Sequence, residues 1–517
     1  MILRLLSRTG FAAAALLVGA PLMAAPQQTM AAVREAQVAA IFDHAAASPT
    51  ALRVLLRAMP KGGDLHNHMG GSVYAEDFMR WAGEKGLCID AATLAFAQPP
   101  CAPGFSEKEV AEKQPFLFAR MIDNLSTRGW QHGVGRNDTS GHTQFFDSFE
   151  KFGPAETGKE AQGLVSTRRI AALDHVLYLE LQHNPGGIWG WAGAAPDEAL
   201  TQADLPRIFA REKPVMEAVV ARSVAALDAQ EQQVKAAMGC GTDRAEAGCG
   251  VAVHYLAQSA RGMPPLGAFR SLMASFALAA RDPRYVGVNI VEPEDWPISL
   301  RDYDLHMAMF RFLEGQYPQV HRSLHAGELA FGLVPPTDLA DHIAKAIRDG
   351  GAQRIGHGTD IALESEANAT MARMAREGIA VEINLTSNAV ILGVSGADHP
   401  LNLYRRRGVP VVLSTDDQGV LRTDMTNEYL RAIREQGLTY RDLKQISRNG
   451  LEFSFIPGAS LWQSRHVGLP VAACAAGFEA AACRVLAAGS EKARMQLALE
   501  GQLAAFERRA IEENKSA

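Results

Sequence analysis

Several things are missing from these 517 residues, and each absence narrows what the chain does. No Lys/Arg-rich run occurs beyond the triplet Arg405-Arg406-Arg407, and a net charge of -6 is mild for this length. The electrostatic footprint of a nucleic-acid binder is therefore lacking, and no nucleic-acid partner is expected. No Cys-x-x-Cys pair occurs, which disfavours a cysteine zinc site, and no Cys falls in the first 25 residues, which disfavours a lipid anchor. The apolar run near the N-terminus is too short to span a bilayer, so no stable membrane insertion is expected. There is no internal repeat, no low-complexity domain and no Pro/Gly/Ser linker between the strand-like segments. That argues against the alternative of two separate α/β domains.

What is present begins with residues 1–25, which read as an export signal. Arg4 and Arg8 give the positive start, 11–20 the short apolar stretch, and Met23-Ala24-Ala25 the small-residue end. A disordered N-terminus is the alternative. The mature chain is expected to be exported, either periplasmic or secreted. The six cysteines agree, falling into local couples Cys88/Cys101, Cys240/Cys249 and Cys474/Cys483. An even count in an exported chain is a disulfide pattern, and nearest-neighbour bridging is the simplest of the fifteen pairings six cysteines allow.

Strand-like runs recur with helical stretches between them, the βαβ pattern of a parallel sheet. Candidate strands lie at 63–68, 175–181, 251–256, 286–291, 322–325, 354–357, 379–384 and 409–414, and helical patterns at 265–281, 300–314, 336–349 and 362–377. Eight units predict an α/β chain folded as a (β/α)8 TIM-type barrel, with its active site at the C-terminal strand ends. The expected boundaries are an N-terminal helical extension at 26–58, the barrel at 59–458 and a C-terminal helical extension at 459–517. A long insertion after strand 1, about 69–168, belongs to the barrel mouth.

Four of those strands end in chemistry: Asp64-Leu65-His66-Asn67-His68, His325-Ala326-Gly327-Glu328, Ile355-Gly356-His357-Gly358 and Ser414-Thr415-Asp416-Asp417. Side chains two apart on a strand share a face, so His66 and His68 point together while Asn67 faces away. Three imidazoles with an aspartate suit a catalytic zinc or a similar divalent ion. Ordinary readings compete at each place. The histidine pair could be merely hydrogen-bonded, His357 could be structural, and Glu328 and Asp417 could be helix caps.

The ordered words Met59-Pro60-Lys61-Gly62, His66-Asn67-His68, His325-Ala326-Gly327-Glu328, Gly356-His357-Gly358, Thr386-Ser387-Asn388 and Thr415-Asp416-Asp417 resemble the adenosine deaminase family. The likeness is closest to its exported, growth-factor-like branch. The resemblance implies a metal-dependent hydrolase holding one Zn2+ per subunit on His66, His68, His325 and Asp416, with iron, cobalt or manganese as alternatives. It implies a small-molecule partner, a purine nucleoside or related aminopurine, that loses its 6-amino group as ammonia to give an inosine-type product. Glu328 would protonate a ring nitrogen, His357 would orient the attacking water and take its proton, and Asp417 would read the purine edge. Gly327 is counted with the substrate contacts. The His-x-Glu with Pro-Cys-x-x-Cys of cytidine-type deaminases does not occur.

Two positions depart from the family. The acidic residue expected two places after the second histidine is Gly70, and Glu292 stands where a purine-contacting glycine is usual. Glu292 would take a sugar hydroxyl or mark a different amine substrate. Rival readings are an amidohydrolase cleaving an amide or ester, and a catalytically inactive nucleoside-binding or signalling protein. The sequence leaves association between subunits open.

Overall fold

The computed structural model describes residues 30–130, 133–134, 140–464 and 466–516. The expected export signal, 1–25, lies outside the described residues. Eight parallel strands form the centre: β1 (Lys61–His68), β2 (Val176–Gln182), β3 (Ala252–Ala260), β4 (Tyr285–Val291), β5 (Ser323–Ala326), β6 (Arg354–His357), β7 (Ala380–Ile383) and β8 (Val411–Leu413). Two four-stranded sheets, β1-β2-β3-β4 and β8-β7-β6-β5, meet at two seams. Asn67 bridges to Asp416 at one seam and Val288 to Arg322 at the other, both parallel. Strand order therefore follows sequence order around a closed ring, and the molecule is a (β/α)8 barrel.

The strands are enclosed by helices on the outside and by side chains within, so they read as nearly continuous apolar runs. β3 extends beyond the expected 251–256 because Ala257–Ala260 keep pairing with Val288–Val291. Three of the predicted helices are interrupted. The 300–314 pattern divides into Pro297–Arg301 and Tyr303–Gln316 at Asp302. The 336–349 pattern becomes a short 3-10 turn, Pro336–Leu339, then a helix, His342–Arg348. The 362–377 pattern loses its first turn because Glu364 is extended, and its carboxylate accepts the N–H groups of Ile343 and Ala344 at the start of the neighbouring helix. Periodicity sees the apolar face and not such a cap.

Between β1 and β2 the chain builds a cap with its own core, in which Phe78 stacks on Phe152 at 4.3 Å and Trp81, Phe145 and Met121 are buried. That core also takes in Ala330, Val390–Leu392 and Val420–Leu421 from the loops after β5, β7 and β8. The helix Glu160–Leu173 packs instead into the barrel core through Leu164 and Val165, so the cap ends near 159, sooner than expected. Helix Met30–Ala45 lies against helix Glu491–Ser516, and Lys444 joins them through Glu35 and Glu507. The three cysteine couples are disulfides, Cys88–Cys101, Cys240–Cys249 and Cys474–Cys483, all in peripheral segments. Among the described residues no helix is long and apolar enough to cross a membrane.

Candidate active site and metal centre

At the C-terminal end of the barrel, β1 brings His66 and His68 to one point because Asn67 turns away to Asp64 and Thr415. His66 Nε2 lies 3.0 Å from His325 Nε2, 3.4 Å from His68 Nε2 and 3.4 Å from Asp416 Oδ1. His68 Nε2 lies 3.3 Å from the same Asp416 oxygen. Four donors each about 2.0–2.1 Å from one tetrahedral centre would stand roughly 3.3 Å apart. The donor set fits a zinc-sized divalent ion both in chemistry and in spacing.

Surrounding groups aim these rings. His66 Nδ1 donates to Glu382 at 2.6 Å, and His325 Nδ1 to Asn289 Oδ1 at 3.0 Å, so both present Nε2 lone pairs to the centre. Burial would lower the pKa of His66, but Asp416 and Glu382 outweigh it and lift it to about 10. The site thus draws positive charge inward, as a cation centre should. Beneath it Arg354, itself buried, bridges Glu180 and Glu382 and lies over the Phe455 ring at 3.9 Å.

The acid–base groups stand beside this cluster. Glu328 Oε1 is 3.6 Å from His357 Nε2, and Asp416 Oδ2 is 4.0 Å from it. Burial, with Asp416 and Glu294 nearby, pushes the Glu328 carboxyl well above its ordinary range. Burial, with Asp416 adjoining, does the same for Asp417, whose Oδ1 has no hydrogen-bond partner among the described residues. Asp417 packs so closely on Gly71 that a Cβ there would meet Oδ1 at 1.7 Å. His357, Asp416 and Glu292 hold φ values of 67°, 58° and 79°, a left-handed backbone that costs a non-glycine residue about 1–2 kcal/mol. Strain of this kind collects where side chains must be aimed.

These groups open into a cavity of about 820 Å³, within the range of small-molecule sites. Its outer wall is the cap helix Gly141–Glu156, tied to the loop after β4 by His142 and Asp295 at 3.2 Å. Phe145, Phe146, Phe149 and Trp296 give apolar surface there. Eight carboxylates and neither Lys nor Arg are found among the described lining residues.

The structure gathers His66, His68, His325, Asp416, Glu328, His357, Asp417 and Glu292 around this cavity. Gly327 does not join them. Its N–H is donated to Glu294, and a Cβ on it would meet Asp360 Oδ1 at 2.3 Å and Ile343. The backbone N–H of Gly327 is thus already engaged within the protein. Glu292 lines the wall, and its Oε2 accepts from Gly262 N–H at 2.6 Å. Sequence reasoning missed Glu382, Asn289, Glu294 and Glu156. Glu156 is instructive: its Oε1 lies 2.9 Å from where a Gly70 Cβ would be, so a carboxylate from the cap fills the space left by the absent family acid. Burial and Glu160 push it up to about 7. A charged residue in an apolar strand, as in Val381-Glu382-Ile383, is the signal that would have found Glu382.

Known proteins supply an independent comparison. The family model for adenosine deaminase matches residues 215–461. An aminodeoxyfutalosine deaminase from Streptomyces coelicolor is 36% identical over 138 residues, 26% of this chain and 33% of that protein. An adenosine deaminase from Salmonella heidelberg is 38% identical over 137 residues, 26% of this chain and 38% of that protein. The chain thus spans little more than a third of the length of these curated relatives. The solved structure of an adenine deaminase from Arthrobacter aurescens aligns with a TM-score of 0.49 and 17% identity over 77% of this chain and 94% of that one. The stretch that matches the adenosine deaminase family model, residues 215–461, carries His325, Glu328, His357, Asp416 and Asp417 in order.

Proposed function

We propose that this chain is an exported, zinc-dependent hydrolase that removes the 6-amino group of an unphosphorylated aminopurine nucleoside as ammonia. The observation that carries the reading is one cavity holding the His66/His68/His325/Asp416 cluster, Glu328 and Asp417 together. The match of residues 215–461 to the adenosine deaminase family model and the deaminase names of the two curated relatives support the same chemistry. A divalent cation on that cluster would activate the attacking water. Glu328, carrying a proton at the base of the cavity, gives it to the ring nitrogen beside the carbon under attack. Asp417, protonated, donates to the ring nitrogen at the opposite edge.

The lining supports a nucleoside rather than a nucleotide. With no Lys or Arg among the described lining residues the cavity offers a phosphate no such cationic partner, whereas Glu156 and Glu292 can accept from sugar hydroxyls. Three disulfides support an oxidising compartment and hence export.

The test is ammonia release from adenosine by the zinc-loaded protein, beside Glu328→Gln, with AMP and an amide panel in parallel. Release from adenosine but not AMP, lost in Glu328→Gln, is the expected result. Turnover of amides alone, or activity that survives Glu328→Gln, would overturn the reading.

A further inference from the structure

Behind His357 runs a chain of hydrogen bonds whose direction is fixed at one end. The backbone N–H of Leu401 donates to His399 Nδ1 at 3.1 Å. A peptide N–H can only donate, so His399 Nδ1 accepts, and the proton of that neutral ring sits on Nε2. Burial holds His399 down to about 4, which keeps it neutral at ordinary pH. His399 Nε2 faces Asn388 Oδ1 at 3.0 Å and donates to it. This settles which way the Asn388 amide points: its Nδ2 faces His357 Nδ1 at 3.1 Å, with the side-chain nitrogen of Asn384 at 3.4 Å. His357 Nδ1 must therefore accept. A proton placed there would oppose the Asn388 N–H, so the ring carries its single proton on Nε2. All three side chains are buried, and among the described residues His357 Nε2 has no hydrogen-bond partner where it faces the cavity.

We propose that Asn388 and His399 are positioning residues that lock His357 in its Nε2–H tautomer, so that His357 donates a hydrogen bond to the reacting oxygen rather than removing a proton from it. The inference rests on the deaminase reading for what the donor serves, and departs from the expectation that His357 takes a proton. A preorganised donor aimed at oxygen that gains negative charge is worth about 10²–10³-fold in kcat. Once Glu328 has given its proton to the ring nitrogen it is a carboxylate, and, 3.6 Å from His357 Nε2, it is then placed to receive the proton leaving the attacking water and to pass it to the departing ammonia.

The lock can be read without turnover. In protein labelled with 15N-histidine, a His357→Gln spectrum assigns the His357 signals, and their shifts report which nitrogen bears the proton. Wild type is expected to show Nε2–H. Asn388→Asp, near-isosteric, offers only acceptors, so His357 must put a proton on Nδ1; kcat should fall about 10²–10³-fold with KM little changed. His399→Gln can accept from Leu401 and donate to Asn388, so it should keep the tautomer and most of the activity. His399→Phe should lose both. A wild-type proton on Nδ1 overturns the proposal, as does an Asn388→Asp enzyme with the altered tautomer and undiminished kcat. If Asn388→Asp fails to fold, the wild-type spectrum and the His399 pair decide. An inactive wild type with the Nε2–H tautomer would refute the deaminase reading and leave the lock standing.

Discussion

Gly356 sits on β6 immediately before His357, and its missing side chain is what lets His66 stand where it does. A Cβ on Gly356 would meet His66 Cε1 at 2.7 Å and Nδ1 at 3.1 Å. Carbon atoms rest at about 3.5 Å or more, so in Gly356→Ala the ring must retreat by roughly 0.8 Å. It has little room. His66 is fully buried, with Nδ1 2.6 Å from Glu382 and Nε2 3.0 Å from His325. Metal–ligand distances tolerate about ±0.2 Å, so the displaced imidazole becomes a poor ligand. Disturbing the groups that orient a ligand typically costs about 10–100-fold in metal affinity. Overpacking should cost the fold about 1–3 kcal/mol as well. Competition for zinc against a chromophoric chelator measures the first effect, and thermal melting of the metal-free protein the second. Gly315→Ala, where nothing lies within 4 Å of the new Cβ, is the control and should change neither much. A folded Gly356→Ala protein with wild-type zinc affinity would refute the placement of His66 as a ligand packed against β6.

Other outcomes follow from the same geometry. Arg354→Met strands the carboxylates of Glu180 and Glu382 in the barrel interior, and chemical denaturation should show a loss of about 3–5 kcal/mol. Glu156 has its folded pKa raised from 4.5 to about 7, so the folded state holds the extra proton and native stability declines as pH rises from about 4.5 through 7. Glu156→Gln should accordingly melt higher than the parent at pH 8 but not at pH 4, while its KM rises for nucleosides and hardly at all for the free base. Reducing Cys88–Cys101, which closes a 13-residue separation, should lower stability by about 3 kcal/mol and leave kcat nearly unchanged below the melting range.

The barrel was legible because its signal is local: an apolar run, then a polar residue where the strand ends. His66, His68, His325 and Asp416 all sit at such junctions, so their convergence followed once eight strands were counted. Glu382, Asn289 and Glu294 act on groups 34 to 316 residues away in sequence, and no spacing rule links them to the rings and backbone they hold. Glu156 was hidden for another reason. It lies in a cap whose fold has no fixed period, and its meaning depends on a side chain that Gly70 does not have. Gly327 was counted with the substrate contacts, and Glu294 takes its N–H. The helix at 362–377 was overpredicted because an apolar period cannot show that Glu364 is needed as a cap next door.

One seam of the barrel runs through the site itself. Asp416 N–H binds the His66 carbonyl and His68 N–H binds the Asp416 carbonyl, so the residues that close the ring between β1 and β8 are also those that converge on the cation centre. A nascent chain that has not yet emerged past residue 416 has three of the four donors, His66, His68 and His325, and lacks the fourth. An ion captured at that point would be weakly held and easily exchanged. Once the last strand docks, the same ion would join chain segments some 350 residues apart and resist their separation, because ligand binding to the closed form alone shifts the balance toward it. Ring closure and tight holding of the ion therefore favour each other, and metal scarcity would weaken the seam between β1 and β8 as well as slow turnover.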